Sequence, residues 1–232
     1  MPVLESPNTY YIQPQCGVAT GLALGAADPG DYQAKAELVP LHSELAVWIL
    51  ERPAPGLVSF FSRKLRFRPR APVGEQSPMG YLQAPYENGP AWIRGKSEIA
   101  VLGEQVDTWN LVPHGDPPWV VFQLGRNAKQ NLNVAGDGPY PPGTLIYSYR
   151  WGDGQPNEVW QVIPQSSAGG IVTSVGSSSF VLDDVTVHTN AFTGGDHPGD
   201  VVGREIPVYV EGTAVGDREM TAIRIYIGGR PW

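Results

Sequence analysis

The chain has 232 residues, 41% of them hydrophobic, and carries 28 glycines and 23 prolines. That many breakers leaves room for short strands and turns and little for long helices, and no run of 18 apolar residues offers a membrane span. A formal charge of −7 argues against general nucleic-acid binding, which requires a basic surface, and the single cysteine, Cys16, excludes an internal disulfide framework.

The opening Met1-Pro2-Val3-Leu4-Glu5-Ser6-Pro7 lacks the charged-then-apolar order of a signal peptide, and the chain has no Asn-X-Ser/Thr site. The expected location is therefore cytoplasmic, or outside the cell by export without a cleaved signal peptide. Strand-like segments and turns then lead to three tryptophans in similar surroundings, Val47-Trp48-Ile49-Leu50, Thr108-Trp109-Asn110-Leu111 and Val159-Trp160-Gln161-Val162, spaced 61 and 51 residues apart. A recurring tryptophan implies three copies of one supersecondary unit, over residues 10–53, 56–115 and 117–165. Tyr11-Ile12-Gln13 and Gly21-Leu22-Ala23-Leu24 lie 110 residues before Val121-Phe122-Gln123 and Asn131-Leu132-Asn133-Val134, with no gap between the two matches.

The second copy is the least regular. Residues 63–70 alternate, with Lys64, Arg66, Arg68 and Arg70 on one strand face and Leu65 and Phe67 on the other. That face is a solvated surface or a patch for an anionic partner. Pro69, Pro72, Pro78, Pro85 and Pro90 follow and interrupt any central strand.

Gln165-Ser166-Ser167-Ala168-Gly169-Gly170 reads as a linker, placing a boundary between residues 1–165 and 166–232. The tail contains about five strands. In the last, Ile223, Ile225 and Ile227 alternate with Arg224 and Tyr226, as in a half-buried strand. Its short motifs Gly170-Ile171-Val172-Thr173, Val202-Gly203-Arg204, Val210-Glu211-Gly212 and Thr221-Ala222-Ile223 resemble those of small five-stranded OB-like bacterial domains.

The third copy carries a further resemblance. Asn131-Leu132-Asn133-Val134-Ala135-Gly136-Asp137-Gly138, Gly143-Thr144-Leu145-Ile146-Tyr147-Ser148-Tyr149 and Gln155-Pro156-Asn157-Glu158-Val159-Trp160 look like one repeat of a ricin-type (R-type) β-trefoil lectin. The resemblance spans about 30 residues here, is visible around Leu22-Ala23-Leu24 and Val47-Trp48, and rests mostly on Trp109 in the second copy. It implies an all-β chain, a β-trefoil of three repeats followed by the OB-like domain, with Trp48, Trp109 and Trp160 in the core. It also implies binding of terminal galactose or N-acetylgalactosamine without catalysis, and no cofactor.

Such a site needs an aromatic face against the apolar side of a sugar ring and a short acid or amide to orient its hydroxyls. Carried onto this chain, the family's acid falls at Asn133, its stacking aromatic at Tyr149 with Tyr147 beside it, and its amide at Asn157, while the glutamine that normally follows is Glu158. Asn133 lacks the charge of a carboxylate, which Asp137 could supply from the same turn. Tyr147, Tyr149 and Trp151 would share one face of an extended strand, as a sugar platform or as part of the hairpin cap. Ala23 takes the acid position in the first copy and makes a site there improbable. Tyr81, Gln83, Tyr86 and Trp92 supply candidate groups in the second without a defined alignment. One working site is the expectation, with glycans as partners and the tail as a possible homodimer interface.

Signals for catalysis are poor. His42, His114, His188 and His197 fall in no nucleophile or metal spacing, and a lone cysteine such as Cys16 is usually a small hydrophobe. Asp196, His197 and Asp200 share a Gly-rich loop that could hold a cation, although a polar surface loop is the plainer reading. Two other readings stay open. Residues 68–90 could be the rigid loop of a trefoil protease inhibitor, and residues 63–70 could be the contact strand of a non-sugar interaction or toxin-accessory module.

Overall fold

The computed structural model describes residues 9–26, 33–41, 43–62, 80–182, 185–190, 193–197, 202, 207–216 and 219–227. The basic alternation at 63–70 and most of the proline-rich insertion lie outside the described residues. The described chain forms two compact units, Thr9–Val162 and a second that begins at Ile163.

The first unit contains strands β1 (Thr9–Pro14), β2 (Leu22–Gly25), β3 (Gln33–Lys35), β4 (Glu37–Pro40), β5 (Val47–Ala54), β6 (Leu57–Ser62), β7 (Gly80–Gln83), β8 (Gly89–Pro90), β9 (Trp92–Gly95), β10 (Trp109–Pro113), β11 (Val120–Leu124), β12 (Gln130–Val134), β13 (Ile146–Arg150) and β14 (Trp160–Pro164). Six of them close a ring. β1 pairs β5, β5 pairs β6, β6 pairs β10, β10 pairs β11, β11 pairs β14, and β14 returns to β1. Closure leaves this ring without an open edge. One hairpin lies between β1 and β5 (β2–β4), one between β6 and β10 (β7–β9) and one between β11 and β14 (β12–β13). A six-stranded ring with one hairpin per repeat is the β-trefoil arrangement, and it follows here from the pairings themselves.

The repeat tryptophans explain why three dissimilar segments fold alike. Trp48, Trp109 and Trp160 are fully buried in one core with Ile12, Phe60, Phe122, Leu24, Leu82 and Leu132. Trp48 Nε1 donates to the carbonyl of Leu24 at 2.9 Å, and Trp160 Nε1 to that of Leu132 at 2.7 Å. Each bond fastens a hairpin to the ring and satisfies a buried indole donor. Trp109 differs. Its Nε1 has no partner among the described residues, and the Leu82 carbonyl accepts from Gln83 Nε2 at 3.1 Å instead.

These bonds correct the ungapped match between the first and third repeats. Tyr10 faces Trp48 and Val120 faces Trp160, which keeps the 110-residue offset on the ring. Leu24 and Leu132 are the matching hairpin residues, however, so the offset changes before β2. The cause is the 3-10 turn Gln15–Thr20, ended by Gly21 at φ +64°, which makes the β1–β2 connection two residues longer than β11–β12. The counterpart of Asn133 in the first repeat is therefore Gly25, where the sequence match had placed Ala23.

The single α-helix among the described residues, α1 (Lys96–Val101), is a feature the composition did not suggest. Its Ile99 packs with Phe61 and Tyr81 in a small cluster separate from the main core, and those two rings lie 5.4 Å apart.

The second unit contains β15 (Ser166–Val175), β16 (Ser179–Leu182), β17 (Val185–His188), β18 (Gly194–Gly195), β19 (Pro207–Gly216) and β20 (Glu219–Ile227). The expected linker is instead the first half of β15. Ser166 to Gly170 pair in register with Gly212 to Val208. Ladder bonds use the backbone alone, so a run of small side chains that looks featureless in sequence still forms a strand. β16, β15, β19 and β20 pair antiparallel in that order, β16 also pairs β17, and β17 closes the ring by pairing parallel with β20. Phe180, Leu182, Val187, Val208, Val210, Met220, Ala222 and Ile225 fill its core.

Candidate functional site

The third hairpin separates its residues by alternation. Asn131 faces Tyr149, Leu132 faces Ser148, Asn133 faces Tyr147 and Val134 faces Ile146. Leu132, Val134 and Ile146 enter the core. Asn131, Asn133, Tyr147 and Tyr149 therefore share the opposite face. Tyr147 is half-buried and Tyr149 is 51% exposed. β13 ends at Arg150, so Trp151 does not extend the aromatic row. Its ring meets His114 edge-on at 5.4 Å.

Both asparagines on this face are buried, and the Oδ1 of each accepts no hydrogen bond from the described residues. Asn133 Nδ2 donates to the Asn131 carbonyl at 3.3 Å. A buried carbonyl oxygen left without a donor costs about 1–3 kcal/mol and asks for an explanation. Both oxygens lie on the strand face that also carries the half-buried Tyr147 and the exposed Tyr149.

Of the remaining residues picked from the sequence, Asn157 acts on the backbone. Its Nδ2 donates to the carbonyls of Val134 at 3.0 Å and Gly136 at 3.4 Å, and its own carbonyl accepts from the Val134 amide at 2.8 Å. Asn157 thus anchors the turn after β12. Asp137 lies exposed in that turn between Gly136 and Gly138, at φ +86° and +89°, backbone values that glycine tolerates best. Tyr140 Oη donates to the Gly136 carbonyl at 3.1 Å, and burial, with help from Cys16 and Asp137, pushes its phenol pKa up. Glu158 is buried and accepts from the Gly154 amide at 3.1 Å.

The hairpin register also settles what occupies the same place in the other repeats. A Cβ on Gly25 would lie 2.5 Å from Val39 Cγ2 and 2.6 Å from the Leu45 carbonyl oxygen, so the first repeat has no room there for a side chain. In the second repeat Gln83 faces Trp92 as Asn133 faces Tyr147. Sequence reasoning could not align this pair because the proline-rich insertion around Pro69–Pro90 breaks the spacing; the Leu82 core position next to it was the available signal. The Trp92 ring already has Lys35 Nζ at 5.9 Å and the Arg94 guanidinium at 5.6 Å, which leaves less of it for a sugar.

Cys16 is half-buried, and burial pushes its thiol up to about 11; His42 lies outside the described residues. At pH 8 only on the order of one thiol in a thousand is then thiolate, so alkylation by iodoacetamide is expected to be slow in the folded protein, to accelerate toward pH 11, and to become fast at pH 8 in urea. Fast labelling of the native chain at pH 8 would contradict the burial. Asp196 Oδ2 accepts from the Ile227 amide at 2.7 Å; Asp200 lies outside the described residues, which contain no group of three His, Cys, Asp or Glu side chains placed to hold a metal.

No helix among the described residues is long and apolar enough to cross a membrane. No protein-family model matches the chain, and no curated protein matches it. Among solved structures it is similar to a designed threefold-symmetric protein, ThreeFoil, at 17% identity over 67% of this chain and 97% of that one, with a TM-score of 0.48. It is similar to the ricin B-like lectin of Macrolepiota procera in complex with lactose at 15% identity over 68% and 96%, with a TM-score of 0.47. The Rhizoctonia solani agglutinin is similar at 14% identity over 71% and 99%, with a TM-score of 0.49.

Proposed function

We propose that the trefoil unit is a lectin that reversibly binds a terminal sugar of the galactose or N-acetylgalactosamine type, without catalysis, on the outer face of the third hairpin. One observation carries this reading: the Oδ1 atoms of Asn131 and Asn133 have no donor among the described residues, on the face that also presents Tyr147 and Tyr149. Sugar hydroxyls are donors of the right kind for amide oxygens, and the C–H face of a pyranose suits an exposed phenol ring. Asp137 adds a carboxylate at the rim, and Asn157 keeps the turn that carries it in place. Both asparagine oxygens are buried, so binding requires a small opening of the face.

A glycan array probed with the intact protein and with Tyr149→Ala tests this. The expected result is a galactose- or N-acetylgalactosamine-terminated hit that weakens about tenfold in the variant. Tyr149 is exposed, so the fold survives the change. A hit unaffected by Tyr149→Ala would move the site off this face, and a blank array would remove the lectin reading.

For the second unit we infer an OB-like barrel. Numbering its five main strands along the chain, the ring runs 1-2-3-5-4 and back to 1, with a parallel 3–5 closure, which supports that reading. A homodimer through this unit would double the sugar sites per assembly and raise avidity on clustered glycans. Light scattering after size exclusion is expected to report twice the chain mass of 25.1 kDa, against a single mass if the unit does not self-associate.

A further inference from the structure

The opposite face of the third hairpin ends in an open depression of about 720 Å³, lined by Glu87, Asn127, Lys129, Gln130, Arg150 and Trp151. Arg150 faces Gln130 across the hairpin and so belongs to the face of Leu132 and Ser148, away from Tyr147 and Tyr149. Gln130 is buried and committed: its Oε1 accepts from the Asn88 amide and from Ser148 Oγ, each at 3.2 Å. It forms a fixed polar wall for the depression. Glu87 Oε1 is held by Asn127 Nδ2 at 2.6 Å. Lys129 and Arg150 are exposed, and neither side chain has an ion-pair partner among the described residues. Trp151 is exposed by 38%, with its edge steadied by His114. Two uncommitted cations, one already engaged carboxylate and an indole thus line one depression in a chain whose net charge is −7.

We propose that this depression is a second saccharide site, selective for an acidic sugar. The negative group would sit between Lys129 and Arg150, and a C–H face of the ring would lie on Trp151. The guanidinium offers a planar fork to a carboxylate or sulfate, while the ammonium adds a point charge. A neutral sugar gains only the indole contact here, so charge sets the selectivity. Overall acidity disfavours long-range attraction of anions, which makes recognition depend on these local groups and on ionic strength. The site is independent of the Tyr149 face and stands whether or not that face binds galactose.

Saturation-transfer NMR and titration with N-acetylneuraminic acid, galactose 6-sulfate and unmodified galactose distinguish the sources of charge. They are to be run on the intact protein, on the double variant Lys129→Gln/Arg150→Gln, and on Trp151→Ala and Tyr149→Ala. The substituted residues are exposed, so thermal melting is expected to stay unchanged for the double variant. The expected result is binding of at least one acidic sugar, weakened about tenfold or more in the double variant and in raised salt, reduced in Trp151→Ala, and unaffected by Tyr149→Ala. Response to N-acetylneuraminic acid alone assigns a carboxylate site; response to galactose 6-sulfate alone assigns a sulfate site. No response to either acidic sugar, or binding that persists in the double variant, overturns the proposal.

Discussion

Replacing Trp160 with alanine is expected to cost the trefoil unit about 4 kcal/mol, a large part of the stability of an ordinary domain. The indole is fully buried, stacks on Phe122 at 5.9 Å between ring centroids, and carries the bond that fastens the third hairpin to the ring. Deleting it removes apolar volume, leaves a cavity and frees the Leu132 carbonyl. A gentler comparison isolates the hydrogen bond. Trp160→Phe loses a donor that is used, whereas Trp109→Phe loses one that has no partner among the described residues. In urea unfolding, Trp160→Phe is expected to be the costlier of the two by about 1 kcal/mol. Equal costs would mean that the indole–carbonyl bond does not hold the hairpin.

Asp107→Ala is expected to destabilise the same unit by about 3 kcal/mol. Asp107 is buried, its Oδ2 accepts from the Ala84 amide at 2.7 Å, and its Oδ1 accepts from Arg126 Nε at 2.8 Å. Arg126 Nη2 in turn donates to the Ala84 carbonyl. One acid–guanidinium pair thereby satisfies both backbone groups of the residue where the second hairpin leaves its strand. The Arg126 side chain is half exposed and recovers water when its partner is lost, so most of the cost comes from the Ala84 amide left buried without an acceptor. Asp107→Asn keeps an acceptor for that amide and is expected to cost about 1 kcal/mol. Chemical denaturation of the three proteins checks the order. An alanine variant as stable as the parent would show that the hairpin does not rely on this clamp.

The parts of the molecule that were readable in advance are those where a side chain has one physical reason to be present. A tryptophan recurring at a repeat boundary is useful only if each copy fills the same core position, and all three do. The alternation of Tyr147 and Tyr149 placed both on one strand face, and the register sets Asn133 and Asn131 opposite them. Residues with several possible uses were harder. Gly25 is the counterpart of Asn133 in the first repeat, but a glycine gives no sign of its register, and a two-residue longer turn shifted the match onto Ala23. Ser166-Ser167-Ala168-Gly169-Gly170 has the composition of a linker because nothing in a strand ladder requires large side chains. The amide of Asn157 spans to two backbone carbonyls, a use that depends on where the β12 turn folds back and has no signature in sequence. Trp151 continued the alternation in sequence, but the strand stops one residue earlier.

The measurement that bears most directly on the proposed sugar site is a backbone and side-chain amide NMR titration of the intact protein with galactose. Binding on the third hairpin predicts the largest shift changes at the Asn131 and Asn133 side-chain amides and at the backbone of Tyr147 and Tyr149, with little change at Gln83 or Gly25. Galactose-dependent shifts centred on another repeat or on the second unit, or none at saturating sugar, would contradict it.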